Sequence, residues 1–360
     1  MRDVYLDCAA AMPPDPEVLE FYAAKLRECY ANQEAIHAMA YRERRQLGEA
    51  ENRLARLLTG SADNPVLWGT SATDLFRMLA AVPGFDRTAI SALEHPALTA
   101  NFRAKPYCAV WPAERDGRVR PVPEERAFDA VFLHQVQSEL GVIQDLETLF
   151  AAAPGACRMT DAVQAAGKLP LFPGADVWVI SGVKFGAPGG AAAILNARGR
   201  FADRILAHAA KFRSEAYAAG RVSVPLALAL VRAAEIAESR REREFQRLTV
   251  LRRRIVARAA AWGVRPTLPE TAATSPYILN LLLPHQQSAV IVRALSEAGV
   301  YAAPGSACRA ESNTPSAALL AVGCSRNEAY RALRLSFGPG TTDADADFLL
   351  AELEKALKNY

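Results

Sequence analysis

Lys184 is the one charged side chain in Val177-Trp178-Val179-Ile180-Ser181-Gly182-Val183-Lys184-Phe185-Gly186-Ala187-Pro188-Gly189-Gly190, an apolar run that breaks into glycines. The Val, Trp and Ile residues predict a buried strand, and the glycines and proline predict an open turn at its end. An ammonium among apolar groups is disfavoured, so its pKa falls and the neutral amine becomes a nucleophile able to condense with a carbonyl. Read alone, Lys184 could equally be a solvated loop lysine. Cys308 offers a second nucleophile in Pro304-Gly305-Ser306-Ala307-Cys308-Arg309, where a loop position and an adjacent guanidinium favour the thiolate. Arg334 lies in the apolar run Leu333–Phe337, a poor place for arginine unless its planar fork grips a carboxylate. After the apolar Val66-Leu67-Trp68 come Ser71, Ala72 and Thr73, which open a helix whose free N–H groups and dipole suit an anion, though an ordinary N-cap has the same pattern. His95, before Pro96 at the end of another apolar run, can stack on a ring or move protons; a structural histidine is the plain alternative.

These groups need elements to hold them, and the strongest clue is Met159-Thr160-Asp161-Ala162-Val163-Gln164-Ala165-Ala166-Gly167-Lys168. Asp161 and Gln164 are expected to begin a short helical turn after a loop, with their side chains on one face. A pyridoxal phosphate site needs a carboxylate against the pyridine nitrogen and a donor near the phenolic oxygen. Glu94-His95-Pro96, Asp161-Ala162 through Gly167-Lys168, Lys184, Gly305 to Cys308 and Arg334-Leu335-Ser336 follow one another in order. In this the chain resembles the fold-type I pyridoxal phosphate enzymes, specifically the class V branch that contains the cysteine desulfurases. The resemblance spans nearly the whole chain, with departures at Cys8, Ser138, Val183 and Arg221, where the family has asparagine, asparagine, histidine and threonine.

The resemblance implies an α/β fold-type I transferase and assigns roles. Lys184 holds pyridoxal 5'-phosphate and removes the substrate α-proton, with Asp161 at the pyridine nitrogen and Gln164 and Ser138 near the phenolic oxygen. His95 stacks on the ring, and Ala72, Thr73 and Ser181 hold the phosphate together with Arg221, which reaches across a homodimer. Asn32 and Arg334 grip the carboxylate of L-cysteine or a related amino acid. Cys308 takes the sulfur as a persulfide and passes it to an acceptor, which could be a protein, while alanine leaves. Another pyridoxal phosphate-dependent lyase or aminotransferase would keep Lys184, Asp161 and Arg334 without needing Cys308. A degenerate paralogue with a scaffold role is the remaining alternative.

Composition fits an enzyme of this size. With 360 residues, 51% of them hydrophobic, the chain can bury a core larger than one ordinary domain requires. A large cofactor domain is expected over residues 15–250, with residues 1–14 and 251–360 forming a smaller α+β domain that carries the Cys308 loop and Arg334. A helix from about residue 39 to Gly60 should bury Leu47, Ala50, Leu54 and Leu57, and another should run from Pro225 to about Trp262. Asp15-Pro16-Glu17 predicts a capped helix start, and Thr342 with Asp345 caps the last helix. The formal charge of +3 is nearly balanced, and the basic run around Arg252-Arg253-Arg254 is interleaved with glutamates, so no nucleic-acid arm is expected. Six scattered cysteines without a Cys-x-x-Cys pair give no metal site. No membrane span and no signal peptide are read, so a cytoplasmic protein is expected.

Overall fold

The computed structural model describes residues 2–196, 199, 201–214, 223–305 and 314–360. Its chain begins with β1 (Val4–Tyr5), α1 (Pro16–Glu28) and α2 (Ala38–Thr59). Alternating elements follow: β2 (Val66–Gly69), α3 (Ala72–Ala80), β3 (Arg87–Ser91), α4 (Pro96–Phe102), β4 (Tyr107–Trp111), β5 (Ala130–His134), α5 (Leu146–Ala151), β6 (Cys157–Asp161), β7 (Val177–Ser181) and β8 (Ala192–Asn196). The strands make one seven-stranded sheet in the order β2-β8-β7-β6-β5-β3-β4, in which β8 alone runs antiparallel to its neighbours. A parallel sheet is covered on both faces, so its strands are apolar throughout, and all five residues of β5 and of β7 are buried. Within β7 the pleat sorts the side chains by face. Trp178 and Ile180 pack toward Leu54, Ala227 and Leu230 of the neighbouring helices, whereas Val177 and Val179 pack toward Phe76, Leu79 and Phe102.

The second half comprises α6 (Ala202–Ser214), α7 (Val224–Ala259), β9 (Arg265–Pro266), β10 (Ile278–Leu282), α8 (Ser288–Glu297), β11 (Val300–Tyr301), β12 (Ala303–Pro304), α9 (Ala317–Ala321), α10 (Arg326–Tyr330), β13 (Ala332–Ser336) and α11 (Asp343–Asn359). A four-stranded antiparallel sheet, β12-β13-β10-β9, and the parallel pair β1-β11 form here. The 36-residue α7 ties the two halves together. Its first turns bury Ala227, Leu230 and Ala234 against the large sheet, and its last turns bury Leu248, Leu251 and Ile255 beneath β10 and β13. Among the described residues, no helix is long and apolar enough to cross a membrane.

Both predicted caps are present. The Asp15 carboxylate accepts from Glu17 N, and Thr342 and Asp345 form a reciprocal capping box. The α2 helix ends on Gly60 in the left-handed conformation, as expected, but its buried stripe runs through Leu47, Ala50, Leu54 and Leu58 while Leu57 is exposed. A step of four residues keeps Leu58 on the face that three would rotate away. Asp161 also differs from expectation, because it closes strand β6 instead of opening a helical turn. Residues 157–161 pair with both β5 and β7, and that ladder outweighs the local turn signal.

Candidate functional site

Sheet topology fixes where the chemistry gathers. Strands β2, β3, β5, β6 and β7 point the same way and end on Gly69, Ser91, His134, Asp161 and Ser181, so one edge collects their loops, where open α/β sheets bind ligands. A cavity of about 320 Å³ opens there, lined among others by Thr73, His95, Asp161, Gln164, Lys184 and Arg334. Ser71, Ala72, Ser138, Ser181 and Val183 also line it.

Lys184 ends a single 3-10 turn, Gly182–Lys184, directly after β7, and its Nζ donates to the Ala10 carbonyl. The turn is held against its neighbours by close packing at glycine. A side chain on Gly167, which has φ +70°, would meet Ala237 Cβ at 2.7 Å and Phe185 Cβ at 3.1 Å, so the loop after β6 can touch the residue following Lys184 only without a Cβ.

Asp161 is buried at the end of β6, and its Oδ1 accepts from Val163 N at 3.0 Å. Burial pushes its carboxyl up to about 7, with the Glu94 carboxylate adding to the effect while the Val163 N–H, His134 and Lys184 oppose it. A carboxylate so placed awaits a cation. Behind it, Glu94 Oε1 accepts from Ser91 Oγ at 2.6 Å and pairs with His134 Nδ1 at 2.9 Å, while His134 Nε2 lies 3.2 Å from Gln144 Nε2.

Gln164 is fixed at both ends of its amide. Nε2 donates to the Ala9 carbonyl at 2.9 Å, and Oε1 accepts from Lys168 Nζ at 2.9 Å. His95 caps α4 through Nδ1, which accepts from Ala97 N at 3.1 Å, so the neutral ring carries its proton on Nε2. Burial and the positive charges of Lys184 and Arg334 lower its pKa against the pull of Glu94, which keeps it neutral. Ser71 caps α3 by accepting from Asp74 N, and the first helical N–H groups, at Ala72 and Thr73, border the cavity.

Arg334 projects from the centre of β13 and is 4% exposed. Its Nη2 donates to Asp7 Oδ1 at 2.7 Å and its Nη1 to the Ser138 carbonyl at 3.2 Å. Its Nε is buried and finds no acceptor among the described residues. That leaves a hydrogen-bond donor of a guanidinium for a carboxylate to take.

The structure thus gathers Ala72, Thr73, His95, Ser138, Asp161, Gln164, Ser181, Lys184 and Arg334 around one cavity. Asn32 is not among the lining residues; it is exposed, and its Oδ1 accepts from Glu34 N at 3.0 Å in a local turn. Cys308 and Arg221 lie outside the described residues. Sequence reasoning did not single out Asp7, Lys168 or Glu139, whose Oε2 accepts from Ser316 Oγ at 2.6 Å. Lys168 stood within a recognised motif, but its 3% exposure follows from Gly167 and the chain crossing at α7, which no local pattern encodes.

Residues 4–349 match the family described as Aminotransferase class-V. A cysteine desulfurase of Gluconacetobacter diazotrophicus is 29% identical over 97% of this chain and 92% of its own length. Among solved structures, a NifS-like protein matches with a TM-score of 0.84 at 22% identity, covering all of both chains. A structure titled SspA in complex with cysteine matches with a TM-score of 0.72 at 20% identity, over 94% of this chain and all of the other.

Proposed function

Because the chain belongs to the class-V aminotransferase family, we propose that it is a pyridoxal 5'-phosphate-dependent cysteine desulfurase, acting as a homodimer. It takes sulfur from L-cysteine as a persulfide on Cys308 and releases alanine. The observation that carries the reading is the meeting, in one cavity, of a lysine amine, a buried carboxylate in need of a cation, a helix start and a buried arginine with a donor unused among the described residues. Named relatives that are cysteine desulfurases support the choice of reaction.

The residues present fit the cofactor. Asp161, which lines the cavity, would hold a pyridinium nitrogen, and that group would supply a cation to its buried carboxylate. The first turn of α3 suits the phosphate, with N–H groups and helix dipole together. Gln164 would offer the second N–H of its amide to the phenolic oxygen. When bound, the cofactor supplies an electron-withdrawing ring that stabilises negative charge at the substrate Cα.

The chain's own residues do the rest. Lys184 Nζ would hold the cofactor, and as a free amine it takes the proton from the substrate Cα. Arg334 orients the substrate carboxylate through Nε and its remaining Nη hydrogens. The neutral ring of His95 presents Nε2–H on the cavity side of α4 and adds no second positive charge. At Cys308 an S–S bond forms with the substrate sulfur as the Cβ–S bond breaks; its electron pair stays on carbon and is protonated, giving alanine and a persulfide. Cysteine and thiol on one side thus balance alanine and persulfide on the other.

The test is direct. The purified protein should show a visible cofactor band, trapped by borohydride on Lys184 and lost in Lys184→Ala. L-Cysteine should yield alanine with a persulfide on Cys308, and Cys308→Ala should keep the band and its change on adding cysteine while forming no persulfide. Pyruvate in place of alanine, or a persulfide on another cysteine, would overturn the proposal.

A further inference from the structure

We propose that Lys168 is a positioning residue for the cofactor site, acting through Gln164: its amino group holds the glutamine oxygen, so that the amide presents N–H to the ring oxygen of the bound cofactor. The inference rests on the pyridoxal phosphate reading above.

Lys168 does not line the 320 Å³ cavity. It borders a separate cavity of about 510 Å³ between the residue 12–16 segment, α7 and the loop after β13. Its Nζ donates to Gln164 Oε1 at 2.9 Å and sits 5.8 Å from the ring of Tyr277. Gln164 is therefore clamped between an acceptor-only group, the Ala9 carbonyl, and a donor. A flipped amide would set Gln164 Oε1 against the Ala9 carbonyl, two acceptors with no proton between them, and would forfeit the donation from Lys168, which the amine makes in either charge state. The donated hydrogen bond also polarises the amide and strengthens the N–H on its far side.

The surroundings suit a role beyond packing. Lys168 is 3% exposed, yet no carboxylate faces it within ion-pair distance among the described residues. Burial and the charge of Lys184 bring its pKa down to about 7, and Cys8 could oppose them only as a thiolate. Cys8 is itself pushed up to about 12 by burial and stays a neutral thiol. A buried lysine whose one hydrogen-bond acceptor among the described residues is a glutamine oxygen is costly to keep for stability alone.

A donor at the cofactor's ring oxygen favours negative charge there, so losing it lets the bound cofactor keep its proton to higher pH. Lys168→Met in the holoenzyme should therefore raise the pH midpoint of the visible band by about half a unit or more. Gln164→Leu should raise it at least as much, and the double variant no further than Gln164→Leu alone, because the lysine acts through the glutamine. Lys168→Arg keeps a donor, has the adjoining cavity to expand into, and should restore the original midpoint. If Lys168→Met does not fold, Lys168→Ala enlarges that cavity and reads the same quantity. An unmoved midpoint, or shifts that add in the double variant, would overturn the inference alone. If the unaltered protein shows no visible band, the cofactor reading fails and takes this inference with it.

Discussion

Replacing Asp161 with asparagine should make the cofactor-free protein more stable at alkaline pH even as it weakens cofactor binding. The carboxyl rises from 3.8 to about 7 on folding, chiefly through burial. At about 1.4 kcal/mol per unit, that shift corresponds to about 4 kcal/mol held against the folded state once the group is fully ionised. The sign follows from proton counting. Between pH 4 and 7 the folded state keeps a proton that the unfolded state has lost, so stability falls as pH rises through this window and levels off above it. Asparagine keeps the acceptor for Val163 N and removes the titration. Its buried amide nitrogen costs roughly 1–3 kcal/mol for lack of a partner, but that cost does not depend on pH. The variant's stability relative to the wild type should then improve by about 2.5 kcal/mol between pH 5 and pH 8, which urea unfolding of the two cofactor-free proteins would measure. A difference that stays constant with pH would show that Asp161 is not a strained acid in this fold. A change of opposite sign would mean that a cation already neutralises it, and the argument for a cofactor partner would fall with it. Adding cofactor should invert the ranking, since the wild-type carboxylate then gains the charge it lacks.

Two further outcomes are expected. Asp7→Ala should raise KM for L-cysteine about tenfold with a smaller change in kcat, because Arg334 Nη2 loses the acceptor that sets the guanidinium plane; a loss confined to kcat in steady-state kinetics would refute this. Arg221→Ala should weaken cofactor retention, followed by absorbance after dialysis, far more than replacement of the exposed Arg253 in α7, if Arg221 serves the phosphate that Val183 cannot; equal retention in the two variants would remove Arg221 from the site.

Much of the arrangement was legible because it is local in the chain. The turn after β7 that delivers Lys184, the helix start at Ala72 and Thr73, and the caps at Asp15 and Thr342 are written in a few consecutive residues, whose turn, capping and strand preferences agree with the fold. Even α10 could have been read, since Ser325 and Glu328 spell its capping box. What was not legible depends on distance. Arg334 and Asp7 meet across 327 positions, and Gln164 reaches Ala9 across 155. Both contacts arise because the chain's first residues run past the ends of β6 and β13, with Asp7 bridging to Ser336 and Met12 N donating to the Val183 carbonyl. The N-terminal segment is therefore more than an entry strand. It supplies the carbonyls of Ala9 and Ala10 that hold Gln164 and Lys184, and the carboxylate that holds Arg334. Three side chains of the proposed site thus share one run of chain as their anchor, so shortening or shifting residues 7–12 should disturb the proposed cofactor and substrate contacts together, whereas a change in any one anchored side chain should disturb only its own.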